Sequence, residues 1–360
     1  MKLFKSLLVA PASLGLLAPM AATANEVTIN DFNAAEEIAV TNSRVDGLEA
    51  RLNNFEAGGF SATTTASISV DATVGAIDGD ATTEATVFEY QFNIGLSTSF
   101  TGEDSLDIAI DSGSDSASTN DNPMGFDTGA GLAVDGVTYS FPLGGLSMVV
   151  GADTDISASY TGACTYSAFT DYMGNCGTGN SLGITGKGVT ATGSYAFDSG
   201  FSLAAGVSST SDSSVGIMTE AGTDYYGIEA AYTADSWGLA VAFASVDNAA
   251  SAETTYWGVN ANYSFDIADV SVGFETEETS GTDQSGYFVG ITFPEVGPGS
   301  VSLGAATAGN FAENATEYMT YEASYSYPVN DGLTITPGVF VEETAGDDLT
   351  GIIVKSSFSF

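Results

Sequence analysis

From Phe60 to the C-terminus, apolar residues recur at every second position, in segments of about ten residues separated by Gly, Asp, Ser and Asn. No other feature constrains the fold as tightly. A period of two belongs to extended strands, whose side chains alternate between two faces. In the segment from Val87 to Phe100, the residues Phe88, Tyr90, Phe92, Ile94 and Leu96 share one face. Glu89, Gln91, Asn93 and Gly95 share the other. Similar segments begin near Val189, Phe201, Tyr226, Trp237, Trp257, Val270, Tyr287, Val301, Tyr321 and Leu333. The last one, Leu349 to Phe360, sets Ile352, Val354, Phe358 and Phe360 against Ile353, Lys355, Ser357 and Ser359.

A soluble sandwich also alternates, burying one face and wetting the other. Its core positions are mostly branched aliphatics and its wet face is rich in Lys, Glu and Arg. Here the apolar face is aromatic at the strand ends, as in Trp257-Val259-Ala261-Tyr263-Phe265, and the opposite face is Gly, Ala, Ser, Thr, Asn and Glu. That face is too small and polar to fill a core. The pattern suits lipid outside and water inside. In hydrocarbon every strand edge must be paired, which requires closure. The sequence therefore predicts an all-β chain, a transmembrane antiparallel β-barrel of about sixteen strands over residues 60–360. Short turns such as Asp198-Ser199-Gly200 and Ala234-Asp235-Ser236 contrast with long connections around 112–130 and 152–186. No run of 18 apolar residues exists, so no helical span is expected.

The start of the chain reads differently. Lys2 and Lys5, the apolar Leu7 to Leu17 and the small residues Ala22-Thr23-Ala24 form a secretory signal over residues 1–24. Residues 25–59 form an N-terminal periplasmic segment with a short helix. Val45, Leu48, Leu52 and Phe55 recur at spacings of three, four and three, an a/d seam ended by Gly58-Gly59. So short a seam is unstable alone. Either it joins a homotrimer or it lies as a single amphipathic helix on the body.

Charge narrows the function. The chain carries 46 Asp and Glu against six Lys and Arg, has no His, and has a formal net charge of −40. Nucleic acid is excluded as a partner, because phosphates need basic residues. Without His, any catalysis would rest on carboxylates alone. Acidic clusters, among them Asp111 to Asp121, Asp153-Thr-Asp155 and Glu342 to Asp348, lack EF-hand spacing. They read as solvated loops, so no metal and no cofactor is expected. Cys164 and Cys176, the two cysteines, lie in the longest connection and read as a disulfide in an exported protein. Such a loop either folds into the lumen or stays as a surface staple.

Parity assigns the inward face. Glu89, Gln91, Asn93, Asp107, Asp111, Glu229, Asn260, Asn262, Glu275 and Lys355 are the expected pore-lining residues. Asp107 and Asp111 alternate with Leu106, Ile108 and Ile110, which must face lipid. No catalytic residue is expected.

Four stretches together resemble the cyanobacterial outer-membrane porins, the OprB-like carbohydrate-selective or iron-uptake group. They are Arg44-Val-Asp-Gly-Leu-Glu-Ala-Arg51 with Phe60-Ser-Ala-Thr-Thr-Thr, then Gly95-Leu-Ser-Thr-Ser-Phe-Thr-Gly-Glu-Asp-Ser-Leu106, Tyr139-Ser-Phe-Pro-Leu-Gly144, and the terminal Phe360. The resemblance implies an outer-membrane location, passive passage of small solutes and ions, and recognition of Phe360 by the barrel-assembly machinery. It departs in two places. Residues 25 to 43 are too few for the surface-layer-homology domain such porins commonly carry, so wall attachment is not implied. Glu103, Asp107 and Asp111 stand where the group tends to be basic, so the group's permeant ions are not implied; the inward carboxylates Glu89, Asp107, Asp111, Glu229 and Glu275 against Lys355 point instead to a cation preference. The expectation is an outer-membrane diffusion channel for inorganic ions and small hydrophilic solutes, in contact with lipid and trimeric. The alternative is a plugged structural barrel that tethers the envelope. A carboxylate hydrolase is a remote third.

Overall fold

A computed structural model of the chain describes residues 64–79, 85–114, 123–126, 129, 131–210, 217–248 and 252–360. The expected signal peptide and the helix with Val45, Leu48, Leu52 and Phe55 lie outside these residues.

The described chain is β-strand almost throughout. The strands are β1 (Thr64–Asp78), β2 (Ala85–Thr98), β3 (Ser105–Gly113), β4 (Ala133–Leu143), β5 (Leu146–Thr154), β6 (Gly188–Ala196), β7 (Phe201–Ser209) and β8 (Thr223–Thr233). They continue as β9 (Trp237–Asn248), β10 (Thr254–Ser264), β11 (Asp269–Thr279), β12 (Thr282–Val296), β13 (Gly299–Thr307), β14 (Phe311–Ala312), β15 (Met319–Asn330), β16 (Leu333–Glu342) and β17 (Leu349–Ser359). Each pairs antiparallel with its chain neighbour, except that the two-residue β14 pairs with β12 while β13 pairs directly with β15. β1 pairs with both β2 and β17, so the remaining sixteen strands close into a barrel. Phe360 completes the seam: its N–H donates to the Ile68 carbonyl at 2.9 Å and its carbonyl accepts from the Ile68 N–H at 3.3 Å.

Register carries the alternation around the wall. Val354 stands opposite Val74 and Pro337, and Lys355 opposite Thr73 and Thr336. Large apolar side chains are left exposed on the outward face, with Phe88 at 66%, Ile352 at 67% and Trp257 at 53%. In water such a surface would be an aggregation site; against hydrocarbon it is the favourable face. Aromatics gather at the end that carries the short turns. Tyr139 stacks on Phe141 with ring centroids 5.4 Å apart, Tyr195 meets Phe197 at 4.7 Å, and Phe201, Tyr232 and Trp237 form a row at 4.7 and 4.9 Å. These amphipathic rings form the girdle expected at a membrane interface.

At the same end, the β2–β3 turn is locked by Asp104. Its carboxylate accepts from the Phe100 and Thr101 N–H groups at 2.9 and 2.7 Å and from Tyr139 Oη at 2.7 Å. The Thr101 backbone N–H, then Tyr139, hold its carboxyl well below the usual range. The opposite end carries the long connections between β3 and β4, β5 and β6, β7 and β8, and β13 and β15, together with some short ones. β11 and β12 are joined by Ser280-Gly281, both at positive φ (54° and 77°), as a two-residue hairpin turn requires.

Candidate functional site

Residues 155–187, between β5 and β6, do not stay at the mouth. They touch wall strands from β5 round to β16 and, through the cluster around Phe169, β17 and β1, a reach that only the lumen allows. The segment is built from three short helical turns, Ile156–Ser159, Asp171–Gly177 and Gly179–Leu182. Asp155 caps the first, its Oδ1 accepting from the Ser157 N–H at 2.8 Å. Cys164 and Cys176 are joined as a disulfide, with Cα atoms 5.8 Å apart. Cys176 is fully buried and sits at φ 54°, beside Asn175 at 52°, a backbone region that costs non-glycine residues about 1–2 kcal/mol each. The cross-link and the packing around Cys176 offset that cost.

The wall is shaped to receive this loop. A Cβ on Gly206 would stand 2.6 Å from the Ile156 carbonyl oxygen, and one on Gly338 2.5 Å from the Phe169 ring. At Gly227, Gly258, Gly273 and Gly290 a Cβ would collide with Ile156, Ser181, the Cys176 carbonyl and Tyr166 respectively. Strand glycine, unfavourable for an isolated strand, thus marks close approach of the loop, by backbone at Gly206 and Gly273 and by side chains at the others. Side chains fill what remains. Phe169 packs with Ile77, Phe340, Leu349 and Ile353, and Met173 and Cys176 pack with Phe288 and Ala306. The inward face is therefore not uniformly polar: Ile353 and Phe340 are each 2% exposed beneath the loop.

Three wall carboxylates hold the loop's backbone. Glu229 accepts from the Thr161 and Gly162 N–H groups at 2.6 and 3.0 Å. Glu275 accepts from the Ser181 N–H at 2.6 Å and from Asn180 Nδ2 at 2.9 Å. Glu322 takes four donors: Tyr166 Oη at 2.8 Å, the Phe169 N–H at 2.7 Å, and the Thr170 N–H and Oγ1 at 2.9 and 2.6 Å. Asn260 Oδ1 adds the Ala163 N–H at 2.8 Å. Charge-assisted bonds of this kind contribute about 1.5–3 kcal/mol each, which offsets burying a carboxylate with no cation beside it. Lys187 and Lys355 are the only basic residues described, and Lys187 pairs with Asp135 at 3.1 Å on the surface.

The ten expected lining residues divide in half. Glu229, Asn260 and Glu275 stand on the inward face but meet the loop rather than open water, at 1–3% exposure. Glu89 and Asp111 are also buried and have partners. Gln91, Asn93, Asp107, Asn262 and Lys355 are half-buried. Four of these five lie on β2, β3 and β17, together with β1 a contiguous sector of wall. Gln91 Nε2 donates to Asn93 Oδ1 at 3.2 Å. Asp71 of β1, opposite Gln91 and Ser357, belongs to the same sector and was not anticipated, although its parity against Val70 and Ala72 would have found it. Glu322 was missed too; Tyr321 beside it, exposed at 43%, carries the same signal. The loop thus reaches Ile77 of β1 and Ile353 of β17, while Asp71, Gln91, Asn93, Asp107 and Lys355 on the same group of strands stay half-buried.

A family model for Gram-negative porins matches residues 149–348. An uncharacterized protein of Nostoc sp. is 34% identical over 151 residues, 34% of this chain and 26% of that protein, so the match spans about a quarter of its length. Solved structures share the fold. OprB of Pseudomonas putida has a TM-score of 0.65 at 12% identity, covering 83% of this chain and 94% of that one. An anion-selective porin from Comamonas acidovorans has a TM-score of 0.58 at 14% identity, covering 83% and 99%. OmpT of Vibrio cholerae, in its trimer form, has a TM-score of 0.58 at 11% identity, covering 83% and 100%.

Proposed function

We propose, from the premise that this chain belongs to the Gram-negative porin family, that it is a passive channel for inorganic ions and small hydrophilic solutes with a modest preference for cations. The outer membrane is where a porin of this family acts. The observation that carries the proposal is the set of half-buried polar residues on β1, β2, β3 and β17. Asp71, Asp107, Gln91 and Asn93 stand there against one cation, Lys355. Carboxylates along a narrow aqueous path lower the energy of a passing cation and raise that of an anion. The Debye length is about 8 Å at physiological salt, so only carboxylates beside the path act on selectivity. The fold does not carry the sign: a barrel of similar shape is described as anion-selective. The sign here rests on these side chains. Glu229, Glu275 and Glu322 act indirectly, by holding the loop that narrows the lumen.

Planar-bilayer recording of the refolded full chain tests this. Stepwise openings with a cation-selective reversal potential in a potassium chloride gradient are expected. An anion-selective potential would overturn the selectivity, and a folded barrel that stays silent would leave a structural role.

A further inference from the structure

The lumen does not account for one buried carboxylate. Asp224 lies on the outward face of β8, in phase with Tyr226 and Ile228, yet is 5% exposed. Its Oδ1 is buried and accepts no hydrogen bond among the described residues. Register places it directly between Ser209 of β7 and Asp247 of β9, so two like charges face each other across neighbouring strands. That arrangement destabilises a sheet unless something neutralises it. The β7–β8 connection folds back over this row. The Met218 N–H reaches Ser209 Oγ at 3.5 Å, and the turn from Thr219 closes through the Gly222 N–H on the Thr219 carbonyl at 3.0 Å. Thr219 Oγ1 is buried there and also lacks a partner among the described residues. Neither described lysine serves the row: Lys187 is paired with Asp135, and Lys355 faces inward from β17.

A buried carboxylate with one oxygen unsatisfied among the described residues, a second carboxylate opposite and an unpaired hydroxyl in the adjoining turn make a hard-oxygen ligand set. We propose that Asp224, Asp247 and Thr219 form a binding site for a divalent cation of the calcium class, on the outer rim of the barrel. Calcium accepts irregular sets of carboxylate, hydroxyl, carbonyl and water oxygens, whereas magnesium demands a near-octahedral shell. The bound ion neutralises the facing aspartates and ties the β7–β8 connection to the strand ends. Because the site is outside the lumen, it stands or falls independently of conduction.

The test uses the folded full chain in detergent, stripped with chelator, at physiological salt. Terbium is added first, with Tyr226, two residues along the same face, as sensitiser, and calcium is then titrated as competitor. Saturable displacement is expected, with calcium binding roughly tenfold or more weaker in Asp247→Asn and Asp224→Asn, because carboxylate count sets affinity in such sites. Asp331→Asn, in the short turn at the other end, is expected to bind as the parent does. Asp247 is exposed, so its variant carries the test if Asp224→Asn does not fold. Unchanged affinity in Asp247→Asn, or no competition by calcium, overturns the site.

Discussion

Glu322 ties the inward loop to the wall, because its two carboxylate oxygens satisfy four of the loop's donors. Glu322→Gln keeps the shape but sets an amide NH2 against those donors. A lost buried partner costs about 1–3 kcal/mol, so the variant should unfold at lower denaturant and conduct with more noise. Identical unfolding curves would show that the loop is held elsewhere. On β1, β3 and β17 the expectation concerns sign. Asp71→Asn and Asp107→Asn should each reduce the cation preference, and Lys355→Ala should increase it. A reversal potential unmoved by all three would place the ion path away from this wall. Inwardness at this scale is readable from parity alone, which puts Asp107, Glu229 and Glu275 on one face of their strands. Parity could not say which inward residues meet water, because that depends on a loop that arrives from 94 residues away in the case of Ser181 and Glu275.

The element that decides the interior is the connection from Asp155 to Lys187. Its disulfide closes a ring, and the chain on either side of that ring is held by Glu229 and Glu275 on different strands. Changing Cys164 and Cys176 together to Ser should raise conductance or its noise, and non-reducing mass mapping of the parent should link the two peptides. Unaltered conductance in the double variant would reduce the bond to a staple without influence on the lumen. The glycines give a complementary test. In Gly273→Ala the new methyl meets the Cys176 carbonyl, a backbone atom that cannot swing aside. Overpacking of this kind costs about 1–3 kcal/mol, so the loop should be displaced and conductance changed. Gly136→Ala meets the Asp153 carbonyl at an ordinary 3.5 Å and should behave as the parent does. Equal behaviour of the two variants would remove the glycines' role as a track.

At the scale of the molecule, closure leaves no free edge, and the oligomer is a separate matter. If the seam of Val45, Leu48, Leu52 and Phe55 joins three chains, deleting residues 26–57 should weaken cross-linked trimers while heat-modifiable migration reports an intact barrel. Cross-linking that survives the deletion would assign assembly to the barrel wall. The sequence by itself determined the barrel. A period of two with an aromatic-ended apolar face and a small polar one has a single low-energy arrangement in lipid, the closed antiparallel wall, and strand number follows from counting segments. These are local properties of each strand, repeated. What only the tertiary structure decided is how the lumen is occupied: that residues 155–187 turn inward, that Glu229, Glu275 and Glu322 receive their N–H groups, and that Phe169 finds an apolar patch of Ile353 and Phe340. The physical reason is that these contacts join residues far apart in the chain through a segment with no period of its own. Its path is set by donors and acceptors that must be satisfied together, and that requirement appears only when the wall has closed around it.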